Sequence, residues 1–234
     1  MEAQPHSSEH TSVQYRKKAI SYDLNQRLVR PRQQAIYDLF AKLFPPQPNW
    51  KVLDLGVNGS LESRDEYFFE ASYPYLHNVV GSGLEDANYF SRFFPETTYV
   101  QGDRSGRLPF ADNEFDVVFC NAVIEHVGGN AAQAGFLREI FRVSKRCFVS
   151  TPNRWFPIEM HTVLPLVHYL PTPMYRKIFQ TLGFEFFSKE ENLNLLDRRA
   201  FRALVPNEPN IKMCGVPFLG FTANIVLARG AVEN

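Results

Sequence analysis

The stretch WKVLDLGVNGS, Trp50 to Ser60, decides the fold. Val52 and Leu53 open a short apolar run, Asp54 sits near its end, and a loop with Gly56 and Gly59 follows. An apolar run this short, ending in an acid before a glycine loop, reads as a strand. Glycine at the exit lets the backbone take positive φ and come close to a ligand. A nucleotide-bearing ligand is received in this way, yet the same loop also serves as a plain strand-to-helix turn. The motif alone leaves both readings open.

Upstream, Leu28, Ala35, Ile36, Leu39, Phe40 and Leu43 recur at helical spacing from Gln26 to Phe44, and Pro45 and Pro46 stop that helix. Residues 1–13 are polar and aperiodic and read as a loose tail, with 14–234 as one domain. Downstream, the pattern predicts a helix over RDEYFFEAS (64–72), a strand and turn in HNVVGSGLED and a short helix ending at RFFPE. Strands in TTYVQGD and FDVVFCNA come next. A helix follows from about Asn130, its N-cap, to Ser144, with Phe136, Leu137, Ile140 and Phe141 on one stripe. The segment CFVST is another strand. Strands alternating with amphipathic helices indicate βαβ units and a mostly parallel sheet, whose ligands bind at the carboxyl ends of the strands. The chain closes with IKMCGVPFLGFTANIVLARG, two strands around a Gly-containing turn, expected as an antiparallel edge pair.

Between these lies a segment of different character, about 152–183, rich in proline, aromatics and histidine. Its place after a strand end suits an insertion that covers a substrate.

The 25 basic and 25 acidic residues balance, so nucleic acid is not the expected partner. Hydrophobic residues are 44% and charged residues 21%, the balance of a soluble globular chain. The three cysteines, Cys120, Cys147 and Cys214, are widely spaced and two lie in apolar runs, which reads as buried thiols in a reducing compartment. No apolar run reaches membrane-spanning length and the N-terminus is too polar for a signal peptide, so a cytoplasmic protein is expected.

The polar candidates fall at strand ends. At the second strand the slot usually held by a ribose-gripping acid is Gly83. Glu85, two residues on, could reach the same hydroxyls or be a solvated acid at a helix start beside Asp86. Asp103 follows the third strand, where a carboxylate accepts from a purine amino group. Asn121, Ala122, Glu125 and His126 follow the fourth. Glu125–His126 reads equally as a functional pair or a surface pair. Glu159 and His161 are two apart, but no third ligand stands at sensible spacing, so no metal is expected. His168 reads as a packed histidine.

Taken together, VLDLGVNGS, VVGSGLED, VQGDRSGRLPFADNEFDVVFCNAVIEHV and LREIFRVSKRCFVSTPN resemble the class I S-adenosylmethionine-dependent methyltransferases of the type 11 group. The resemblance covers a little under half of the chain by motif. It implies a Rossmann-like, mostly parallel seven-stranded sheet with helices on both faces, and S-adenosylmethionine as cofactor. It also implies that Asp54, Gly56, Asn58 and Gly59 line the methionine moiety. Gly83, Leu84 and Glu85 would address the ribose, and Asp103 and Arg104 would bracket the adenine. Asn121 and Ala122 would close the pocket beside the sulfonium. This chain departs from the group in its glycine-poor loop and in Gly83.

A sulfonium needs alignment and dryness rather than a metal. If the acceptor is a hydroxyl, a neutral histidine suits as general base: His126 first, His161 second. Trp155, Phe156, Tyr169 and Tyr175 could floor an acceptor pocket or form a satellite core, and Arg154 and Arg176 could meet an anion. The expected function is methyl transfer to a small-molecule or glycan-linked acceptor at oxygen. The alternative is a non-catalytic binding or scaffold protein that kept the fold.

Overall fold

The computed structural model describes residues 22–59, 61–103 and 105–232, and side chains from residue 29 onward. The expected tail and the start of the expected domain at residue 14 lie outside these residues.

The apolar runs become five parallel strands: β1 (Val52–Leu55), β2 (Val79–Gly83), β3 (Thr98–Gln101), β4 (Val117–Asn121) and β5 (Cys147–Pro152). Two further strands, β6 (Ile211–Phe218) and β7 (Phe221–Arg229), pair antiparallel, and β7 also pairs antiparallel with β5. The order β3-β2-β1-β4-β5-β7-β6 makes a seven-stranded sheet whose direction of winding reverses between β1 and β4. In an open α/β sheet that reversal opens a crevice at the carboxyl ends of the strands. The register across it is tight, with Leu55 opposite Ser82 of β2 and Cys120 of β4.

Helices cover both faces. On one face α1 (Tyr22–Leu43) and α2 (Phe68–Ser72) pack Ile36, Phe40, Leu43 and Phe69 onto Val52, Phe119 and Phe148. Phe69, Phe119 and Phe148 stack in sequence, at centroid separations of 4.3 and 5.4 Å, and Phe40 meets all three edge-on. The short α3 (Asn88–Phe93) puts Phe90 into a third cluster with Val57, Tyr67 and Phe94. On the other face α4 (Asn130–Val143) buries Leu137, Ile140 and Val143 against Leu53, Val118 and Val149. After β5 come α5 (Thr172–Thr181) and α6 (Arg198–Ala203). Cys120 and Cys147 are buried, Cys214 is partly so, and all three are free thiols.

Two local expectations are corrected. Residues 64–72 do not form one helix: a 3-10 turn over Arg64–Glu66 is separated from α2 by Tyr67, whose φ of −86° and ψ of 67° break the repeat. Tyr67 leaves the helix to sit among Phe90, Phe93 and Phe94. Asn130 is the first residue of α4, not its cap. Extended Gly129 takes that position with no side-chain cap bond.

Candidate active site

The exit of β1 is fixed by backbone bonds. Gly56 and Val57 N–H groups both donate to the Ser82 carbonyl, at 2.7 and 3.0 Å, which folds the loop over the end of β2. Gly56 has φ of 102°, and a Cβ there would overlap the Val123 side chain of the segment after β4. The two sides of the crevice therefore meet at Gly56. A Cβ on Gly59 would overlap the Asp86 carbonyl oxygen, and Tyr89 N–H donates to the Gly59 carbonyl at 3.2 Å. The reason the acid slot holds Gly83 is steric: a Cβ there would overlap the Val57 carbonyl oxygen. The loop backbone fills the space where a ribose-gripping side chain would begin.

Asp54 carries a partner that sequence spacing concealed. Glu70, from α2, is 2% exposed and hydrogen-bonds to it. Burial pushes the Asp54 carboxyl up to about 7, against the lowering effect of that bond. Glu70 is driven well above the usual range by burial and then by the Asp54 charge, so it is the protonated donor. A protonated Glu70 favours an anionic Asp54, the form the role expected of it requires. Glu70 Oε1 has no hydrogen-bond partner among the described residues.

Of the residues expected to meet ribose and adenine, Leu84 is 42% exposed and Glu85 is partly buried. Their backbone is held in place, since Tyr99 Oη donates to the Glu85 carbonyl at 2.6 Å and Gln101 Nε2 to that of Leu84 at 3.1 Å. Asp103 is exposed and accepts from Ser105 N–H at 2.8 Å; the Ser105 side chain first, and then this backbone bond, hold its carboxyl below the usual range. Asn58 is partly buried; Arg104 lies outside the described residues.

At the end of β4 the chain makes a left-handed step at Ala122, with φ of 57°. A non-glycine residue there is strained, and such strain clusters at functional sites. Ser150 of β5 holds the step: its Oγ donates to Asn121 Oδ1, and its carbonyl accepts from Ala122 N–H at 2.9 Å.

The step delivers a polar cluster that local sequence reading did not assemble. Glu125 is fully buried in a 3-10 turn (Ile124–His126), and its Oε2 accepts from Thr151 Oγ1 at 2.9 Å. His126 Nδ1 faces the Asn192 carbonyl at 2.7 Å, and a neutral ring must donate there, leaving its lone pair on Nε2. His161, 4% exposed, comes from the insertion and meets His126 edge-on at 4.9 Å between ring centroids. Its Nδ1 lies 2.6 Å from Glu159 Oε1, and Glu159 also receives Thr162 N–H and Oγ1 at 2.6 and 2.7 Å. Burial works to raise the Glu159 carboxyl, but His161 and these hydrogen bonds hold it down at about 2. Glu159 is thus an anion that fixes His161 with Nδ1–H donating and the lone pair on Nε2. Glu159 and His161 lacked a third ligand by sequence spacing; the fold brings Glu125 and His126 to them.

The aromatic residues divide. Tyr175 is buried with Phe179, Phe187, Leu193 and Leu195 in a satellite core, and Phe156 packs on Phe218 and Phe221. Trp155 and Tyr169 stay 47% and 37% exposed as an edge-on pair. His168 is packed, its Nε2 against the Phe156 carbonyl at 2.8 Å. Arg154 lies over Trp155 and Tyr175, and Arg176 approaches Glu190 at 3.6 Å.

Comparison with known proteins agrees with this geometry. Residues 75–146 match the model of a methyltransferase domain. No curated protein matches the chain by sequence. Among solved structures, the PH0226 protein from Pyrococcus horikoshii is 16% identical, with a TM-score of 0.57 over 92% of this chain and 97% of its own. A possible histamine N-methyltransferase from Thermotoga maritima is 13% identical, with a TM-score of 0.57 over 94% and 95%. Magnesium protoporphyrin IX methyltransferase from Synechocystis, solved with bound SAH, is 13% identical, with a TM-score of 0.56 over 97% and 96%. Identities this low speak for the fold alone, and among the described residues no helix is long and apolar enough to cross a membrane. The strand order and the loop at the sheet's reversal give this chain the fold of the class I S-adenosylmethionine-dependent methyltransferases, and its residues 75–146 match a methyltransferase domain.

Proposed function

We propose that the protein transfers the methyl group of S-adenosylmethionine to a hydroxyl oxygen of a small-molecule or glycan-linked acceptor. The observation that carries this is the Glu159-anchored His161, set against His126 at the ends of β4 and β5. An imidazole with one nitrogen tied to a carboxylate presents the other as a proton acceptor in a fixed direction. In the metal-free protein the hydroxyl proton goes to His161 Nε2. The oxygen forms a bond to the methyl carbon as the carbon–sulfur bond breaks, and neutral S-adenosylhomocysteine leaves. An in-line displacement of this kind gains most from alignment and exclusion of water.

The cofactor would lie with its ammonium group toward Asp54, its ribose by Leu84 and Glu85 and its adenine by Asp103, with the sulfonium beside Asn121 and Ala122. The exposed Trp155–Tyr169 pair, on a 152–183 segment that covers the acceptor side, suits stacking on a ring or sugar face. Balanced charge weighs against a nucleic-acid acceptor.

One observation favours a second reading, a binding protein that does not use the cofactor. The Val57 carbonyl fills the place of the usual ribose acid. Calorimetric titration with S-adenosylmethionine and S-adenosylhomocysteine separates the two. Micromolar binding, lost in Asp54→Ala and Asp103→Ala, is the outcome expected of the enzyme. No heat at millimolar ligand would establish the binding protein instead.

A further inference from the structure

The Glu125–His126–His161 cluster has the makings of a metal centre, and we infer that it binds a divalent transition-metal ion through Glu125 Oε1 and the Nε2 atoms of both histidines. One ligand atom from each residue lies within 4.8 Å of the others. Ligands about 2.0–2.1 Å from a tetrahedral ion stand about 3.4 Å apart, so side-chain shifts on the order of 1 Å close the site. The donors are two imidazoles and one carboxylate, a set that suits zinc, manganese, cobalt or iron(II) more than magnesium or calcium, and it leaves coordination positions open.

Three further observations point to an ion rather than to a packed polar pocket. Glu125 is fully buried, yet its Oε1 has no hydrogen-bond partner among the described residues, an arrangement that costs free energy unless something accepts that lone pair. Both histidines have Nδ1 held by an acceptor, the Asn192 carbonyl for one and the Glu159 carboxylate for the other. Metal-binding histidines are held in this way, with the outer partner fixing the tautomer that turns Nε2 to the metal. The outer ring is itself braced, since Thr151 supports Glu125 and Thr162 supports Glu159.

The inference rests on the reading of this cluster as the acceptor-activating end of the crevice, and it refines how activation is done. An acceptor hydroxyl bound at an open position on the ion would lose its proton to solvent, as metal-bound water does, and the alkoxide would attack the methyl carbon. The acceptor class narrows accordingly to molecules whose hydroxyl has a second oxygen near enough to chelate, such as a vicinal diol.

Titration of the tag-free full-length chain with Co²⁺, followed by visible absorption, tests the site directly. The expected result is one equivalent bound with d–d bands of a low-coordinate N/O site. Binding should weaken about tenfold or more in Glu125→Gln, and 10–100-fold in Glu159→Gln, which alters only the outer ring. A His77→Ala control, outside the cluster, should bind like the parent. Displacement of Co²⁺ by Zn²⁺ or Mn²⁺ extends the test to those ions. Binding that is absent, or that is unchanged in both cluster variants, overturns the inference. Parallel calorimetry with S-adenosylmethionine keeps the two readings separate. Cofactor binding without Co²⁺ binding removes the ion alone, and Co²⁺ binding without cofactor binding removes the methyl-transfer reading alone.

Discussion

The two sides of the crevice are built on different principles. The side proposed for the cofactor, around β1, β2 and β3, is made largely of backbone: Gly56, Gly59 and Gly83 stand where any Cβ would overlap a neighbour, and main-chain bonds to Ser82 set the loop. The side proposed for the acceptor, beyond β4 and β5, is made of groups gathered from residues 125, 126, 151, 159, 161 and 192, each held by a directed hydrogen bond. Backbone sites tolerate little change of shape and few changes of chemistry matter to them. Side-chain sites keep their shape under substitution but lose their chemistry at a single atom.

The largest effect expected from that difference is in His161→Gln. Methyl transfer at saturating substrates should fall by about 10²–10⁴-fold, while calorimetric affinity for S-adenosylmethionine stays within twofold. If affinity falls in parallel with rate, the two sides are not separable. The aromatic floor beneath both sides is common to them. Phe119→Ala should cost about 3–5 kcal/mol in urea unfolding, because Phe119 is fully buried between Phe69 and Phe148.

Gly83→Ala sharpens the contrast on the cofactor side. Restoring a side chain at the ribose slot should destabilise the protein by about 1–3 kcal/mol rather than improve binding, since the added Cβ meets the Val57 carbonyl. An unchanged melting temperature together with tighter cofactor binding would show that the loop moves aside freely.

The smallest effect is in pH dependence. Asp54 and Glu70 titrate higher in the folded chain than unfolded, so the folded state holds more protons between the two values. The contribution of this pair to stability is therefore fully present below the unfolded carboxylate range and is lost as pH rises from about 4 toward 7. Glu70→Gln keeps a donor to Asp54 and removes the second acid, so thermal melts across that interval should show a shallower decline. Each kcal/mol recovered is worth about 2–4 °C at this chain length. An equally steep decline in the variant would place the titration elsewhere.

The sheet was legible in local sequence because most of its strands are short runs rich in apolar residues, punctuated by glycine and proline, and the antiparallel pair carried its own turn. The strand-end positions of Asp54, Glu85, Asp103 and Asn121 followed from the same punctuation. Local pattern misread 64–72, where aromatic packing of Tyr67 outweighs helical spacing, and the start of α4, where extended Gly129 takes the cap position. His126 and His161 were legible one at a time as candidate bases, but not as neighbours.

What the sequence by itself determined is therefore the parallel sheet, the glycine loop that leaves its first strand and the residues at each strand end, because each depends on contacts within a few positions along the chain. Only the tertiary structure decided that Glu70 meets Asp54 and that Val57 displaces a ribose acid at Gly83. It alone also decided that Glu125, His126 and His161 converge with Glu159 and Asn192 behind them. Those contacts span up to about 70 residues, and no periodicity encodes a meeting that depends on the sheet closing first.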